Sequence, residues 1–457
     1  MARFPTESLP TQMLKKLLTP TERLGIFATE SLATELLGKW VEGKRMPKLK
    51  QAHGNWVAGD RFWDRETELG LFCDRLEEGA NLLLVAQRRM GKTSLMKETS
   101  RRMGDRYTCV FVDFQEAASA QDAIAELSVA LQPHKGLWNQ TKELFSSILD
   151  RVEKIGIDEI GVTLRAGLTA GNWAAKGDRL FTILASADKP VVLMLDEVPI
   201  LVNRLLKGDT FAITPERRAA ADAFLSWLRK NTQAHQGVVR VVLSGSIGLE
   251  PVLRQAGLSA TVNNFSPFDL EPWDEPVAKE CLHALAEEYG VHLRDGVESE
   301  MIRRLGCCIP HHVQMFFDQA YVHCTRRKTT ELLPADIEEV YNTGMLGARG
   351  HAELTHYEDR LKTVLGLEKL PLAIEMLCEA AVSGALNVDA LRVLGGEYSF
   401  DDEGTTDVEK YILWVLEHDG YLTKKDDEYV FVSSLVRDWW KNSHGMFFVP
   451  VSQREVL

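Results

Sequence analysis

The sequence has no Cys-x-x-Cys pair. Its seven cysteines, Cys73, Cys109, Cys281, Cys307, Cys308, Cys324 and Cys378, are scattered. That argues against a zinc site or a disulfide framework and fits reduced thiols in a cytosolic protein. No uncharged apolar run reaches the roughly 18 residues that a membrane span needs, and the opening stretch MARFPTESLPTQMLKK lacks the apolar core of a signal peptide. The expectation is a cytoplasmic protein with no membrane association. Basic residues are in deficit, 53 Lys and Arg against 66 Asp and Glu, for a net charge of −13. This argues against coating nucleic acid by charge alone, although a local basic patch would still bind it. There is no internal repeat, no low-complexity tract, no nuclease-like carboxylate cluster and no protease pair. Any output must therefore come from a protein partner or effector, from a homo-oligomer, or from both.

What is present is ordinary globular composition, 45% hydrophobic and 26% charged, over 457 residues, room for two to four domains. Residues 1–55 read as a helical extension ending in a basic stretch from Lys39 to Lys50, in which Lys39, Lys44, Arg45, Lys48 and Lys50 face one acid, Glu42. From residue 56 to 270 short apolar runs alternate with helical patterns: NLLLVA, TCVFVDFQE, PVVLMLDE, GVVRVVLSGS and ATVNNFSPFDL are read as strands. Strands buried on both faces and separated by helices indicate a doubly wound parallel α/β sheet. The stretch GIDEIGVTLRAGLTAGNW is read as hairpin-like, and Ser119 as a helix cap. Residues 271–350 read as a helical lid, and residues 351–457 as helices followed by a hairpin around Lys-Lys-Asp-Asp, the pattern of a winged-helix domain.

The chemistry concentrates in VAQRRMGKTSL, residues 85–95, close to the phosphate-loop pattern G-x-x-x-x-G-K-[ST]. Gly91, Lys92 and Thr93 match, and Ala86 stands for the first glycine. The expected phosphate cradle is Ala86, Gln87, Arg88, Arg89, Met90, Gly91, Lys92, Thr93 and Ser94, because it follows an apolar strand and opens a helix whose N–H groups face an anion. Lys92 is expected to reach the β- and γ-phosphates, and Thr93 to ligate Mg²⁺ with Asp196. Asp196 and Glu197 close the strand VVLMLDE, where two carboxylates at a sheet edge call for a cation. Glu197 is the candidate general base, and Ser246, at the exit of VVLSGS, is a candidate γ-phosphate sensor that is also readable as a turn former. Arg88 and Arg89 either balance acids or reach nucleotide or a neighbouring subunit. Arg229, Arg240 and Arg254 lie near the expected sensor strand, and nothing selects among them for a role in trans.

FWDRETELGLF, LLLVAQRRMGKTSL, LMLDE and VVLSGS together resemble the archaeal-type ATPase family of the STAND branch of AAA+-like P-loop NTPases, over about residues 60–340. The resemblance implies a P-loop ATPase core, a helical lid and a C-terminal winged helix, with ATP and Mg as cofactors. It implies that Arg65 lies near the adenine, in a box where Asp64 stands for the family's glycine. It also implies that Pro310, in GCCIPHHVQMF, packs on the base. It makes an ATP-dependent switch plausible, one that controls assembly or a partner effector in a setting such as prokaryotic antiviral defence. The other class is a DNA-acting AAA+ ATPase, a loader or a transposition or recombination regulator. Residues 401–428 carry ten acids and three lysines, including the expected recognition helix TTDVEKYILWVLEHDG, so charge disfavours DNA there.

Overall fold

The computed structural model describes residues 49–52, 55–149, 157–208, 212–400 and 404–454. Residues 1–48, which hold most of the N-terminal extension and every cation of its basic stretch except Lys50, lie outside the described residues. Residues 49–457 form one compact unit.

Its centre is a five-stranded parallel sheet in the order β2-β3-β4-β1-β5, with β1 Leu82–Val85, β2 Thr108–Asp113, β3 Val191–Asp196, β4 Val239–Leu243 and β5 Ser266–Asp269. Every residue of β3 and β4 is buried, which explains why these strands read as unbroken apolar runs. Successive side chains still point to opposite faces. Leu193 and Leu195 join the core under helices Ala120–Val129, Trp173–Ala185 and Pro215–Ala234, whereas Val192 and Met194 join Phe72 and Met96 on the other face. Capping starts the helices where the sequence supplies it. The Ser119 hydroxyl accepts from Asp122 N, and the Thr214 hydroxyl accepts from Arg217 N ahead of Pro215.

The chain leaves β1 to form β2 at the far edge and later inserts β4 beside β1. That reversal creates a crevice at the carboxyl ends of β1, β4 and β3, the position at which open α/β sheets bind ligands.

The expected hairpin is a correction. Residues 157–167 form the helix Ile157–Gly167, followed by Trp173–Ala185. Ile160, Leu164 and Leu168 recur every four residues, the spacing of one helical face, and the last two are buried. The lid contains helices Glu275–Tyr289, Val297–Leu305 and Pro310–Arg327. It also holds a short parallel pair, β6 His292–Leu293 with β7 Glu331–Leu332, where only helices were expected.

The C-terminal part opens with helix Ala348–Ser383, broken at Gly366, where φ is +75°. It continues through β8 Leu386–Asn387, helices Val388–Gly396 and Thr405–His418, β9 Leu422–Lys425, β10 Glu428–Phe431 and helix Ser434–His444. The strands form an antiparallel sheet in the order β8-β10-β9. A helix break exposes the last carbonyls of its first half, and the core takes them up. Asn203 Nδ2 donates to Thr363 O at 3.0 Å and Lys207 Nζ to Val364 O. Both donors lie on Val198–Lys207, the helix that leaves Glu197. Further contacts fasten the C-terminal part to the core: Asp419 Oδ1 accepts from Gly248 N at 3.1 Å, and the Arg254 guanidinium lies 4.7 Å from the Trp414 ring centroid.

Gly248 has an ordinary φ of −67°, but a Cβ there would meet the His418 ring at 2.4 Å. Gly248→Ala is therefore expected to loosen this contact without straining its own backbone, at about 1–3 kcal/mol, the cost of overpacking. Thermal denaturation and limited proteolysis of the C-terminal part check this. An unchanged melting temperature and cleavage pattern would show that the two surfaces are not held together tightly.

Candidate functional site

The loop after β1 adopts the backbone a phosphate cradle requires. Gly91 has φ +93° and caps the helix Lys92–Met103, and Arg89 has φ +66°. Gly91 has open space where a Cβ would go, so conformation rather than room requires glycine there. Lys92 curls back over the loop, donating to Ala86 O at 2.8 Å and Gln87 O at 2.9 Å. It is 8% exposed. Burial pulls its pKa down to about 8 against the opposing pull of Glu197 and Asp196.

From the next strand ends come the carboxylates. Asp196 Oδ2 accepts from Thr93 Oγ1 at 2.8 Å. Burial, and then repulsion by Glu197, raises the Asp196 pKa. Glu197 sits in the left-handed region at φ +58°, a strain typical of functional positions. Its Oε2 accepts from both Ser246 N at 2.9 Å and Ser246 Oγ at 2.7 Å. Ser246 thus touches the expected base directly.

These groups line one cavity of about 610 Å³, within the range of ligand sites. Arg65, Arg88, Arg89, Met90, Gly91, Lys92, Thr93, Ser94, Asp196, Glu197, Ser246 and Pro310, all expected at the site, line it together. Ala86 and Gln87 line an adjoining cavity of about 260 Å³ that shares Arg88 and Ser246. Two expected members face elsewhere with their side chains. Met90 is buried among Leu95 and Met96, and Ser94 Oγ accepts from Val57 N at 3.0 Å. The cavity also has an aromatic lining that sequence reading did not single out: Trp56, Phe62, Trp63 and Trp273. Asp64 keeps the turn that glycine provides in the family pattern, with φ +52°, and Arg65 follows at φ +70°. Arg65 Nη1 pairs with Glu68 at 2.7 Å, and its Nη2 is buried without a hydrogen-bond partner.

The two loop arginines part company. Arg89 Nη2 pairs with Glu353 Oε2 at 2.7 Å, and His311 Nε2 lies 3.4 Å from the same oxygen. Neither arginine pairs with Asp196 or Glu197. Glu353, His356 and Arg360 belong to helix Ala348–Ser383, about 260 residues from the loop, and no local pattern marks them. The arginines weighed for action in trans are all engaged within the chain. Arg240 donates to Leu76 O and Gly237 O, Arg229 to Ala260 O, and Arg254 lies over Trp414.

The fold is that of P-loop ATPases. No protein-family model matches the sequence, and no curated protein matches it. Among solved structures, the chain is similar to a Walker-type ATPase of Pyrococcus abyssi, with 15% identity, 84% of this chain and 98% of that one covered, and a TM-score of 0.57. It is also similar to the Aeropyrum pernix ORC2 protein in its ADPNP-ADP complexes, with 14% identity, 84% and 95% coverage, and a TM-score of 0.50.

The His311 imidazole, and then Arg89, hold the Glu353 carboxyl down to about 2, from an ordinary 4.5. A carboxyl depressed in the folded state adds stability above its unfolded pKa and loses it as pH falls toward the folded one. Glu353→Gln is expected to lower the melting temperature at neutral pH and to flatten its decline between about pH 4.5 and 2. Melting curves across that range check this, and parallel declines in the two proteins would remove the ion pair's role.

Proposed function

We propose that this chain binds and hydrolyses Mg-ATP and acts as a STAND-like switch. In this reading nucleotide state sets how the C-terminal part sits on the core, and the output passes to a partner effector protein or to assembly of further copies. The observation that carries it is the convergence of Lys92, Thr93, Asp196 and Glu197 on one cavity whose far wall belongs to the C-terminal helix Ala348–Ser383. Lys92 would hold the β- and γ-phosphates. Thr93 and Asp196, a hydroxyl and a carboxylate already in contact, suit a magnesium ion that keeps waters and phosphate oxygens as its other ligands. Glu197 would orient and deprotonate the attacking water once Ser246 releases it. The aromatic lining and Pro310 would take the base, and the buried, unpartnered Nη2 of Arg65 is a donor available to it. Similarity to a protein described in complexes with ADPNP and ADP supports the nucleotide. A cytoplasmic, prokaryotic defence setting is consistent with the family resemblance.

We read residues 386–444 as a winged helix put to structural use. Its expected recognition helix, Thr405–His418, faces the core: Tyr411 Oη donates to Pro251 O at 3.4 Å, and Trp414 lies under Arg254. With its acidic composition, this disfavours DNA as the ligand.

Two substitutions test the nucleotide reading. Lys92→Ala should abolish ATP binding in titration calorimetry. Glu197→Gln should keep ATP while turnover falls about 10²–10⁴-fold, the value of a positioned general base. Unchanged binding in the first, or unchanged hydrolysis in the second, contradicts the assigned role. For DNA, the five cations from Lys39 to Lys50 allow a slope of log K against log salt of no more than about 4 to 5. Binding should therefore be weak, salt-sensitive, and lost when those five become Ser. Tight binding at physiological salt, or dependence on residues 407–419, would favour the DNA-acting reading.

A further inference from the structure

Glu98 stands on the helix Lys92–Met103 that opens from the phosphate loop, and it is 1% exposed. Its neighbours at three and four residues, Arg101 and Arg102, pair with it, as they could on an open surface. Burying a carboxylate is costly and calls for a further reason. Gly59 N donates to Glu98 Oε2 at 2.8 Å, so residues 55–63 lie over the buried group.

Other side chains of the same helix hold this segment. Val57 N donates to Ser94 Oγ at 3.0 Å, and Lys97 Nζ lies 5.4 Å from the Trp56 ring centroid. Positions 94, 97 and 98, three and four residues apart, form one helical face. Arg102 reaches past Glu98 to Glu66, so residues 59–66 are pinned to the helix at both ends. Between the pins they bring Phe62, Trp63 and Arg65 to the cavity, and Trp56 comes to it just ahead of them. Burial alone would raise the Glu98 pKa, but hydrogen bonds from Arg101, Gly59 N and Arg102 outweigh it and hold it down to about 2. The carboxylate is therefore charged at neutral pH, and its bond from Gly59 N is of the stronger, charge-assisted kind.

We propose that Glu98 is a positioning residue for the base of the bound nucleotide. It fastens the aromatic segment 55–63 to the helix that begins with Lys92 and Thr93, so the wall that takes the base keeps a fixed place relative to the loop that takes the phosphates. A ligand with a base uses both, and a bare chain of phosphates uses the loop alone. This inference rests on the nucleotide reading above and goes beyond it in naming what joins the two halves of the site.

The experiment uses the full chain and measures the dissociation constants of Mg-ATP and Mg-tripolyphosphate by calorimetry for wild type, Glu98→Ala, Glu98→Gln, Trp56→Ala and Lys92→Ala. Wild type should bind both ligands, ATP the more tightly. Glu98→Ala should lose about ten- to a hundredfold of ATP affinity, the worth of a charge-assisted hydrogen bond, and keep its affinity for tripolyphosphate. Glu98→Gln keeps an acceptor for Gly59 N and should recover part of the loss. Should Glu98→Ala fail to fold, the same split, smaller, is read in Glu98→Gln. Trp56→Ala, at a side chain 56% exposed, should show the split without disturbing a buried group. Equal losses for both ligands, unchanged ATP affinity in the Glu98 variants or in Trp56→Ala, or no recovery in Glu98→Gln overturns the proposal while leaving the nucleotide reading intact. So does a wild type that binds ATP but not tripolyphosphate, since loop and wall would then not act separately. Binding of both ligands by Lys92→Ala as tightly as by wild type, or of neither by wild type, overturns the nucleotide reading itself.

Discussion

The structure turns on one electrostatic constraint, a buried ammonium facing two carboxylates at the end of a sheet that is apolar on both faces. Lys92 is 8% exposed and Asp196 7%, and charges so deeply buried are costly unless opposite charge or hydrogen bonds offset them. The arrangement is also incomplete. Lys92 rests on the carbonyl oxygens of its own loop, and Asp196 and Glu197 accept hydrogen bonds from a hydroxyl, a backbone N–H or both rather than from a full positive charge. Burial draws the lysine down and pushes Asp196 up, the direction each takes when its charge is short of partners. A polyanion with a divalent cation would complete both halves at once, which supports the nucleotide proposed above.

The positions of these groups follow from the sheet order. Inserting β4 between β1 and β3 separates the loop strand from the carboxylate strand by one strand. Ser246, at the exit of β4, therefore falls between them and takes Glu197. A sensor placed alone at the γ-phosphate would leave Glu197 unheld, whereas here the two hydrogen bonds from Ser246 fix its carboxylate. Ser246 thus holds the carboxylate that is expected to act as the base.

Much of this was legible in the sequence, and for identifiable reasons. The five strands stand out because burial on both faces leaves unbroken apolar runs, as in VVLMLD. The phosphate loop stands out because its demands are local: a glycine at positive φ, a lysine and a hydroxyl on the first helical turn. The helix Ile157–Gly167 was misread because glycines at 156, 161, 167 and 171 suggest turns and obscure the four-residue spacing of Ile160, Leu164 and Leu168. Glu353, Arg360 and the aromatic residues Trp56, Trp63 and Trp273 were not found for a different reason. They reach the cavity from remote segments, and a single helix or loop gives no sign of what it will face. Asp64 lies between these cases. The sequence shows the missing glycine, but only the backbone shows that the aspartate takes the same left-handed turn, as short polar side chains often do.

The C-terminal part is fastened to the core through the same elements that would respond to nucleotide. Arg89 of the loop holds Glu353, the helix that starts at Glu197 supplies Asn203 and Lys207 to the break at Gly366, and the segment after Ser246 meets Asp419. Each contact begins on the loop, helix or turn that carries a group expected to touch phosphate, magnesium or the attacking water. A ligand that shifts any of these by a few tenths of an ångström acts directly on the fastening, since packed interfaces move between discrete arrangements rather than deforming smoothly.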